Sequence, residues 1–530
     1  MKPLTLGPEW QLFLDDYVIE IATGFDRVLH RPTKRGPVIL SDQPWERDLN
    51  SPGRLANVWS INRSSDGRLH AIYRADWYDP AVRKVLPAHS ENDKPHWMVR
   101  EIAYACSEDG IHWHKPRLNL VETPAASSHN DPFYPEPIGY TTENNCGTPF
   151  DLCYDLGTYG NVSDTNRRFL LRLRKNTGTV EERQAFNRNH GPLYFSSDFP
   201  DFVNNPDWRD SLTLIKDGTM SPRGFLNLAG YDELHGEWFS MMQGVRGHWL
   251  PSRDIARWST PDFIHWKACP SLYPAPEDPH SLERYDEFVE IDVIRLEGLW
   301  LGFMAILHSD RTNPDYGLPG TWWRKGTTDL QLVTSRDGGI TWNRVADRKV
   351  WLPHGTEEDA FDRMAYVGRP VRMGDETFFY YWACDGDHLS HLVDETQTPF
   401  YRDRIRRSTI SLATQRWNGY VSLTAGTRAE TFVTKPLSFK GQSLYLNADA
   451  SRGEIKVEIV PVEVVDNRID PWSPETHQGF SLDEAVPVTG KGVEQQVSWK
   501  GGASVANLQG QPIRLRISVR NADLYGFRFA

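Results

Sequence analysis

One short motif recurs along the chain and restricts what it can fold into. Ser107-Glu108-Asp109-Gly110-Ile111-His112-Trp113 is echoed by Thr260-Pro261-Asp262-Phe263-Ile264-His265-Trp266. A looser copy stands at Ser196-Ser197-Asp198-Phe199-Pro200-Asp201-Phe202, and a longer one at Ser335-Arg336-Asp337-Gly338-Gly339-Ile340-Thr341-Trp342. Each places a hydroxyl residue first, an Asp two positions on, and an aromatic at the end. This is the chemistry of a tight hairpin: Asp accepts hydrogen bonds from its own downstream backbone, Gly supplies a positive φ, and the aromatic re-enters a sheet as an anchor. The closing aromatics Trp113, Phe202, Trp266 and Trp342 stand 89, 64 and 76 residues apart, and Trp417, a weaker fifth member, follows after 75. Repeats of that length suit four-stranded propeller blades with long inserted loops. Asp109, Asp262 and Asp337 are accounted for by the turns and are set aside as catalytic groups.

Between the turns run short apolar or alternating segments that read as strands, such as Leu69-His70-Ala71-Ile72-Tyr73, Phe169-Leu170-Leu171-Arg172-Leu173 and Thr377-Phe378-Phe379-Tyr380-Tyr381-Trp382. No long amphipathic helix with caps interrupts them. The pattern predicts an all-β chain with five such units over about residues 40–420. From about Arg428 the strands come closer together, as in Glu454-Ile455-Lys456-Val457-Glu458-Ile459-Val460 and Ile513-Arg514-Leu515-Arg516-Ile517-Ser518-Val519, with the alternation of a sandwich that has one solvated face. The expected architecture is a five-bladed β-propeller over residues 1–427 followed by a C-terminal β-sandwich over residues 428–530. The strand-like Gln11–Glu20 segment is expected to close the propeller ring.

Composition narrows the function. Twenty Trp, 20 Tyr and 23 Phe supply enough large apolar surface for an extensive core. A formal charge of -12 argues against a polyphosphate partner, because nucleic-acid affinity rests on Lys and Arg. The N-terminus lacks the apolar run of a signal peptide, and no apolar stretch approaches the roughly 20 residues of a membrane helix, so a soluble cytoplasmic chain is expected. The five cysteines (Cys106, Cys146, Cys153, Cys269, Cys384) are scattered and odd in number, and signal neither a disulfide framework nor a zinc site. No dinucleotide fingerprint, Walker loop, nucleophile elbow or zincin motif is present, and no cofactor is expected.

The Ser335–Trp342 turn resembles the Asp box of sialidases and related propellers. Together with Gly441-Gln442-Ser443-Leu444-Tyr445-Leu446-Asn447, Gly479-Phe480-Ser481 and Ala522-Asp523-Leu524-Tyr525-Gly526-Phe527, the chain resembles the five-bladed propeller glycosidase clan, in particular glycoside hydrolase family 32-like proteins with a C-terminal sandwich. The resemblance implies the architecture and a carbohydrate substrate. It does not supply site residues: the family's Trp-Met-Asn-Asp-Pro-Asn-Gly, Arg-Asp-Pro and Glu-Cys motifs have no counterpart in this sequence.

In a propeller the first strand of each blade lines the axial channel, so its polar side chains converge from distant parts of the sequence. The candidate catalytic carboxylates are therefore Asp48 in the first unit, Asp155 in the second, Glu290 and Asp292 in the fourth and Asp362 in the fifth. In Glu287-Phe288-Val289-Glu290-Ile291-Asp292-Val293 the period-two alternation points Glu290 and Asp292 to one face and the apolar residues to the other. A buried carboxylate pair has its titrations pushed apart, leaving one acid and one ionised group, as glycoside cleavage requires. A salt bridge to an Arg of a neighbouring blade explains the pair about as well. Asp15 and Asp16 are further channel candidates on the closing strand.

For substrate contacts, Trp59, Trp77, Tyr78, Trp322 and Trp323 offer faces on which a pyranose ring stacks. Arg246, His248, Arg253 and Arg257 form a basic cluster suited to a carboxylate or sulfate on an acidic sugar. His388 and His391 are potential ligands or bases at the channel mouth, but without a third ligand at a telling spacing no metal is expected. The expected function is a glycoside hydrolase or transglycosidase acting on an oligosaccharide or glycoside. Two other readings remain: a carbohydrate-binding propeller without catalysis, and a polysaccharide lyase or glycoside phosphorylase on the same scaffold.

Overall fold

In the computed structural model the described residues are 3–40, 42–43, 54–78, 98–120, 123–124, 140–141, 150–173, 193–205, 207–216, 227–243, 253–272, 278, 284–310, 326–355, 362, 364–384, 408–462, 464–465, 468–469 and 475–530. They are almost entirely β: the one α-helix among them is Leu156–Tyr159. None of their helices is long and apolar enough to cross a membrane.

Five antiparallel blades follow one another along the chain. Blade I comprises Arg54–Arg63, Leu69–Tyr78 and Met98–Ser107, with a bridge from Cys106 to His114 at its outer edge. Blade II comprises Phe150–Asp155, Phe169–Leu173, Leu193–Ser196 and Thr213–Lys216. Blade III is Leu228–Asp232, Glu237–Gln243, Ile255–Thr260 and Lys267–Leu272. Blade IV is Arg284–Leu296, Leu299–Asp310 and Gly326–Ser335, edged by Asn343–Arg344 and Val350–Leu352. Blade V joins Met364–Val367 and Val371–Met373 to Glu376–Cys384 and Ser408–Arg416.

The outer strand of blade V is Thr33–Ile39, which pairs antiparallel with Ser408–Arg416. The first and last strands of the propeller thus meet in one blade, and this pairing closes the ring. The closing strand is therefore not Gln11–Glu20. Gln11 and Leu12 pair instead with Phe527 and Gly526, and Ile19–Thr23 pairs with Glu430–Thr434. Alternation identifies a strand but not its partner. Phe13, fully buried, packs edge-on against Phe432 in the sandwich core, whereas Thr33–Ile39 carries the weak apolar signal and the proline, Pro37, of an outer strand.

The C-terminal sandwich turns on the 18-residue strand Leu444–Pro461. Its first half pairs with Ala522–Phe529 and its second with Ile513–Arg520, so one strand crosses between the two layers near Ser451-Arg452-Gly453. The core between them takes Leu6, Phe13, Val18 and Ile19 from the N-terminus together with Leu446, Val457, Ile517 and Phe527. Because these N-terminal strands belong to the sandwich, a boundary at residue 427 does not separate the two sheet systems.

Three of the four recurring turns share one geometry, while in the looser copy Asp198 accepts instead from Phe199 N–H and from Ser65 N–H. Asp109 Oδ1 accepts from the backbone N–H groups of Ile111 and His112, both at 2.8 Å, and Asp262 Oδ1 accepts from Ile264 and His265 at the same distance. Asp337 Oδ1 takes Thr341 N–H at 2.9 Å. The closing indoles of Trp113, Trp266 and Trp342 donate back to Gly110, Phe263 and Gly339 at 3.1–3.2 Å. The turns also join blades: Tyr380 of blade V donates to Gly110 O at 2.8 Å, and Arg257 of blade III donates to Gly338 O at 2.7 Å. Gly338 has φ +72°, and a Cβ there would lie 2.0 Å from Asp232 Oδ2, so both its backbone and its neighbour require glycine. Trp417 directly follows the third strand of blade V, in a turn closed by Gly419 N–H on Arg416 O at 3.0 Å, so it does not repeat this geometry.

Candidate active site

The inner strands are irregular in every blade. The pairing register shifts within blade I between Ala56 and Ser60, in blade II between Phe150 and Leu152, in blade III between Leu228 and Gly230, and in blade IV between Phe288 and Glu290. In blade V the strand is broken at Gly368-Arg369-Pro370, where proline cannot donate to a ladder. Bulges re-aim side chains, and here they do so around a common axis.

Blade IV shows the consequence. Val289 is the extra residue between the pairs Phe288–Ile306 and Glu290–Ala305. Strict alternation would put Phe288 on the same face as Glu290 and Asp292. With the bulge, Phe288, Ile291 and Val293 pack with Phe239 and Met241 of blade III, while Glu290 and Asp292 share the face of their partners Ala305 and Phe303.

Side chains from all five blades act on these two carboxylates. Burial and the neighbouring Asp292 charge push Glu290 up to about 7, against the Arg74 guanidinium of blade I and a hydrogen bond from Asn227 at the start of blade III. Burial also pushes Asp292 up, to about 6, opposed by Arg369 of blade V and by the Val293 N–H, which donates to Asp292 Oδ1 at 2.9 Å. Tyr154 of blade II and Tyr366 of blade V are buried beside them. The Tyr154 phenol is raised by burial and then by Asp292, and the Tyr366 phenol by burial and then by Glu290. Tyr366 is also within reach of the Arg253 charge, and Arg253 in turn pairs with Glu287 at 3.2 Å. Asp292 keeps 20% of its side-chain surface accessible. Such an arrangement can donate a proton from Glu290 and present a charged carboxylate beside it.

The other candidates fall elsewhere. Asp155 is buried, caps the helix Leu156–Tyr159 by accepting from Thr158 N–H and Oγ1 at 2.8 Å each, and pairs with Arg168 at 3.2 Å. Both its oxygens are engaged in blade structure, which corrects its expected place as a channel carboxylate. Asp362 is buried against Lys34 of the closing strand and accepts from the Tyr381 hydroxyl at 3.3 Å, so it helps to fasten the ring. Asp15 accepts the forked Arg336 at 2.6 and 3.1 Å, and Asp16 pairs with Arg27; both tie down the N-terminal segment. Arg257 is not a substrate clamp: it is buried between Asp232 (2.9 Å) and Glu237 (2.7 Å). Trp59 and Trp77 lie on blade I strands, with side chains outside the described set, and Tyr78 likewise. Asp48, Arg246, His248, Trp322, Trp323, His388 and His391 lie outside the described residues.

Sequence reasoning missed Arg369, whose partners are largely backbone, and His308. The His308 imidazole of blade IV sits between Asp286 (2.8 Å) and Asp329 (2.9 Å). Burial lowers it, but the hydrogen bonds to Asp286 and Asp329 prevail and raise it to about 9. A raised folded value stabilises the fold fully below the ordinary value of 6.5, and that contribution is lost as pH rises through about 9. The melting temperature is therefore expected to fall between pH 6.5 and 9.5, and His308→Gln to flatten that decline. Equal declines in both proteins would remove the assignment.

No family model matches the chain, and no curated protein matches it by sequence. Solved structures that share its outline do so at low identity. A glycoside hydrolase is 10% identical with a TM-score of 0.36, over 73% of this chain and 92% of its own. A β-1,2-mannobiose phosphorylase from Listeria innocua is 12% identical with a TM-score of 0.34, over 77% and 94%. A fructofuranosidase from Schwanniomyces occidentalis is 10% identical with a TM-score of 0.30, over 93% and 96%.

Proposed function

We propose that this protein is a carbohydrate-active enzyme that cleaves a glycosidic bond, with Glu290 as proton donor and Asp292 as the ionised partner. One observation carries the reading: two carboxylates, one residue apart on the same strand, are both pushed up by burial and are met by charged and polar side chains from the other blades. Glycoside cleavage needs an acid at the leaving oxygen and a charged carboxylate as nucleophile or base. With burial raising both carboxyls, Glu290 to about 7 and Asp292 to about 6, turnover is expected to peak at mildly acidic pH.

A panel of 4-nitrophenyl glycosides and unlabelled oligosaccharides, incubated with and without inorganic phosphate, tests the reading. Release of free reducing sugar without phosphate supports hydrolysis. A strict phosphate requirement would replace hydrolysis by phosphorolysis, and binding without any cleavage would leave a carbohydrate-binding propeller.

A further inference from the structure

We propose that Arg369 is a positioning residue for Asp292: its guanidinium, held on the propeller axis by backbone carbonyls of blades II and III, faces the Asp292 carboxylate from blade V. This rests on the reading of Glu290 and Asp292 as acid and charged partner. The inference starts from where the chain breaks. Gly368-Arg369-Pro370 interrupts the inner strand of blade V, so Arg369 leaves the ladder and reaches across the ring. Its Nη1 donates to Asp155 O at 3.1 Å, at the end of the blade II inner strand. Its Nη2 donates to Leu228 O and, at 3.5 Å, to Ala229 O. Those two carbonyls stand at the register shift of blade III, where the ladder leaves backbone groups without a regular partner. The guanidinium also lies over the Tyr154 ring, 4.7 Å from its centroid.

With both Nη atoms committed to carbonyls, the orientation of the fork is fixed, and its Nε points to Asp292 Oδ1 at 3.8 Å. That distance is too long for a hydrogen bond, and Nε is buried without one. Arg369 is 2% exposed. A buried cation is costly unless compensated, and the carbonyl oxygens supply partial negative charge while Asp292 supplies the full one. Among the described residues, Glu290 on its own strand, Tyr154 from blade II and Arg369 from blade V interact electrostatically with Asp292, Arg172 of blade II acts on Tyr154, and Arg74 of blade I acts on Glu290. Of these, Arg369 is the cation that opposes protonation of Asp292. A guanidinium tied to three carbonyls on two other blades makes the charge state of Asp292 depend on correct closure of the ring.

The test follows the carboxyl itself and needs no substrate. Protein labelled with 13C at the Asp and Glu carboxyl carbons is titrated from pH 4 to 9, with the Asp292 resonance assigned by its absence in Asp292→Asn. In Arg369→Gln, which keeps a donor for the carbonyls but removes the charge, the Asp292 midpoint is expected to rise by at least ~1 pH unit. In Arg369→Lys, which keeps the charge, it is expected to stay within about half a unit of wild type. A role confined to tying strands together would weaken both variants and move neither midpoint. An unchanged midpoint in folded Arg369→Gln overturns the proposal.

Should Arg369→Gln fail to fold, the wild type decides. The Arg369 Nε–H resonance, assigned by its loss in Arg369→Lys, is expected to shift with the Asp292 midpoint, and the shift to vanish in Asp292→Asn. A resonance insensitive to that titration likewise overturns the proposal. A fully active Glu290→Gln enzyme would sink the catalytic reading without altering these titrations, so the two failures are distinguishable.

Discussion

Glu290→Gln is expected to lower kcat by at least about 10²-fold, and Asp292→Asn by a similar or larger factor, the range seen when a general acid or base is removed. Each variant is expected to fold. Glutamine keeps the shape of Glu290 and an acceptor for the Asn227 bond but cannot donate the proton. The stability of Glu290→Gln should move the opposite way from its activity. A carboxyl whose folded proton affinity is raised opposes folding once the unfolded chain has ionised it: the cost is absent below about 4.5, grows as pH rises, and is complete above about 7. Replacing it with a neutral amide removes that cost. Glu290→Gln should therefore unfold at the same or a higher temperature than wild type at pH 8, with no gain at pH 4. The pH–rate profile supplies a second check: Asp292→Asn should abolish the acidic limb expected of wild type near 6. Wild-type turnover in both variants on a verified substrate, or a variant that is both inactive and unfolded, would remove the assignment of these residues to chemistry.

The parts of this arrangement that could be read from the sequence are those with a local signature. The turns announce themselves because Asp, Gly and the closing aromatic act within seven or eight residues of one another. Glu290 and Asp292 stand out because charge at alternate positions of an apolar strand leaves few places for them to point. What escaped was set by partners far along the chain. Thr33–Ile39 closes the ring, yet its residues resemble any exposed edge, and only the pairing with Ser408–Arg416 distinguishes it. The bulge at Val289 has no residue signature, although it decides which face the carboxylates share. Arg369 binds mainly carbonyls, which every residue possesses, and His308 meets acids 22 and 21 positions away on either side, at Asp286 and Asp329. Asp155 was misplaced for a related reason: a carboxylate ending an inner strand equally serves the N-cap of a helix that begins at the next residue.

Arg257 makes the same point with a large energetic consequence. In the sequence it belongs to a cationic cluster, and a count of cations suggests an anion-binding clamp. In the fold its charge is spent internally: Nη2 meets Asp232 at 2.9 Å, Nη1 meets Glu237 at 2.7 Å, and Nε donates to Gly338 O in the turn of the next blade. Arg257→Met is expected to destabilise the protein by about 3–5 kcal/mol, because it leaves buried carboxylates without their main partner and the turn carbonyl without its donor. Lys267, 2.8 Å from Glu237, and His235, 2.6 Å from Asp232, remain and favour the lower end of that range. The loss should depend on pH with a definite sign. Burial raises the Glu237 carboxyl, but Lys267 and Arg257 together outweigh it and hold the group below the ordinary glutamate value. Its stabilising contribution is present above that ordinary value and disappears as pH falls through the folded one. The deficit of Arg257→Met relative to wild type should consequently be greatest near neutrality and shrink toward pH 4, where the Glu237 carboxylate takes up a proton. Urea unfolding of the two proteins at pH 7 and pH 4.5 measures both quantities. A deficit below about 1 kcal/mol at pH 7, or one that grows on acidification, would show that the seam between blades III and IV does not depend on this buried charge network.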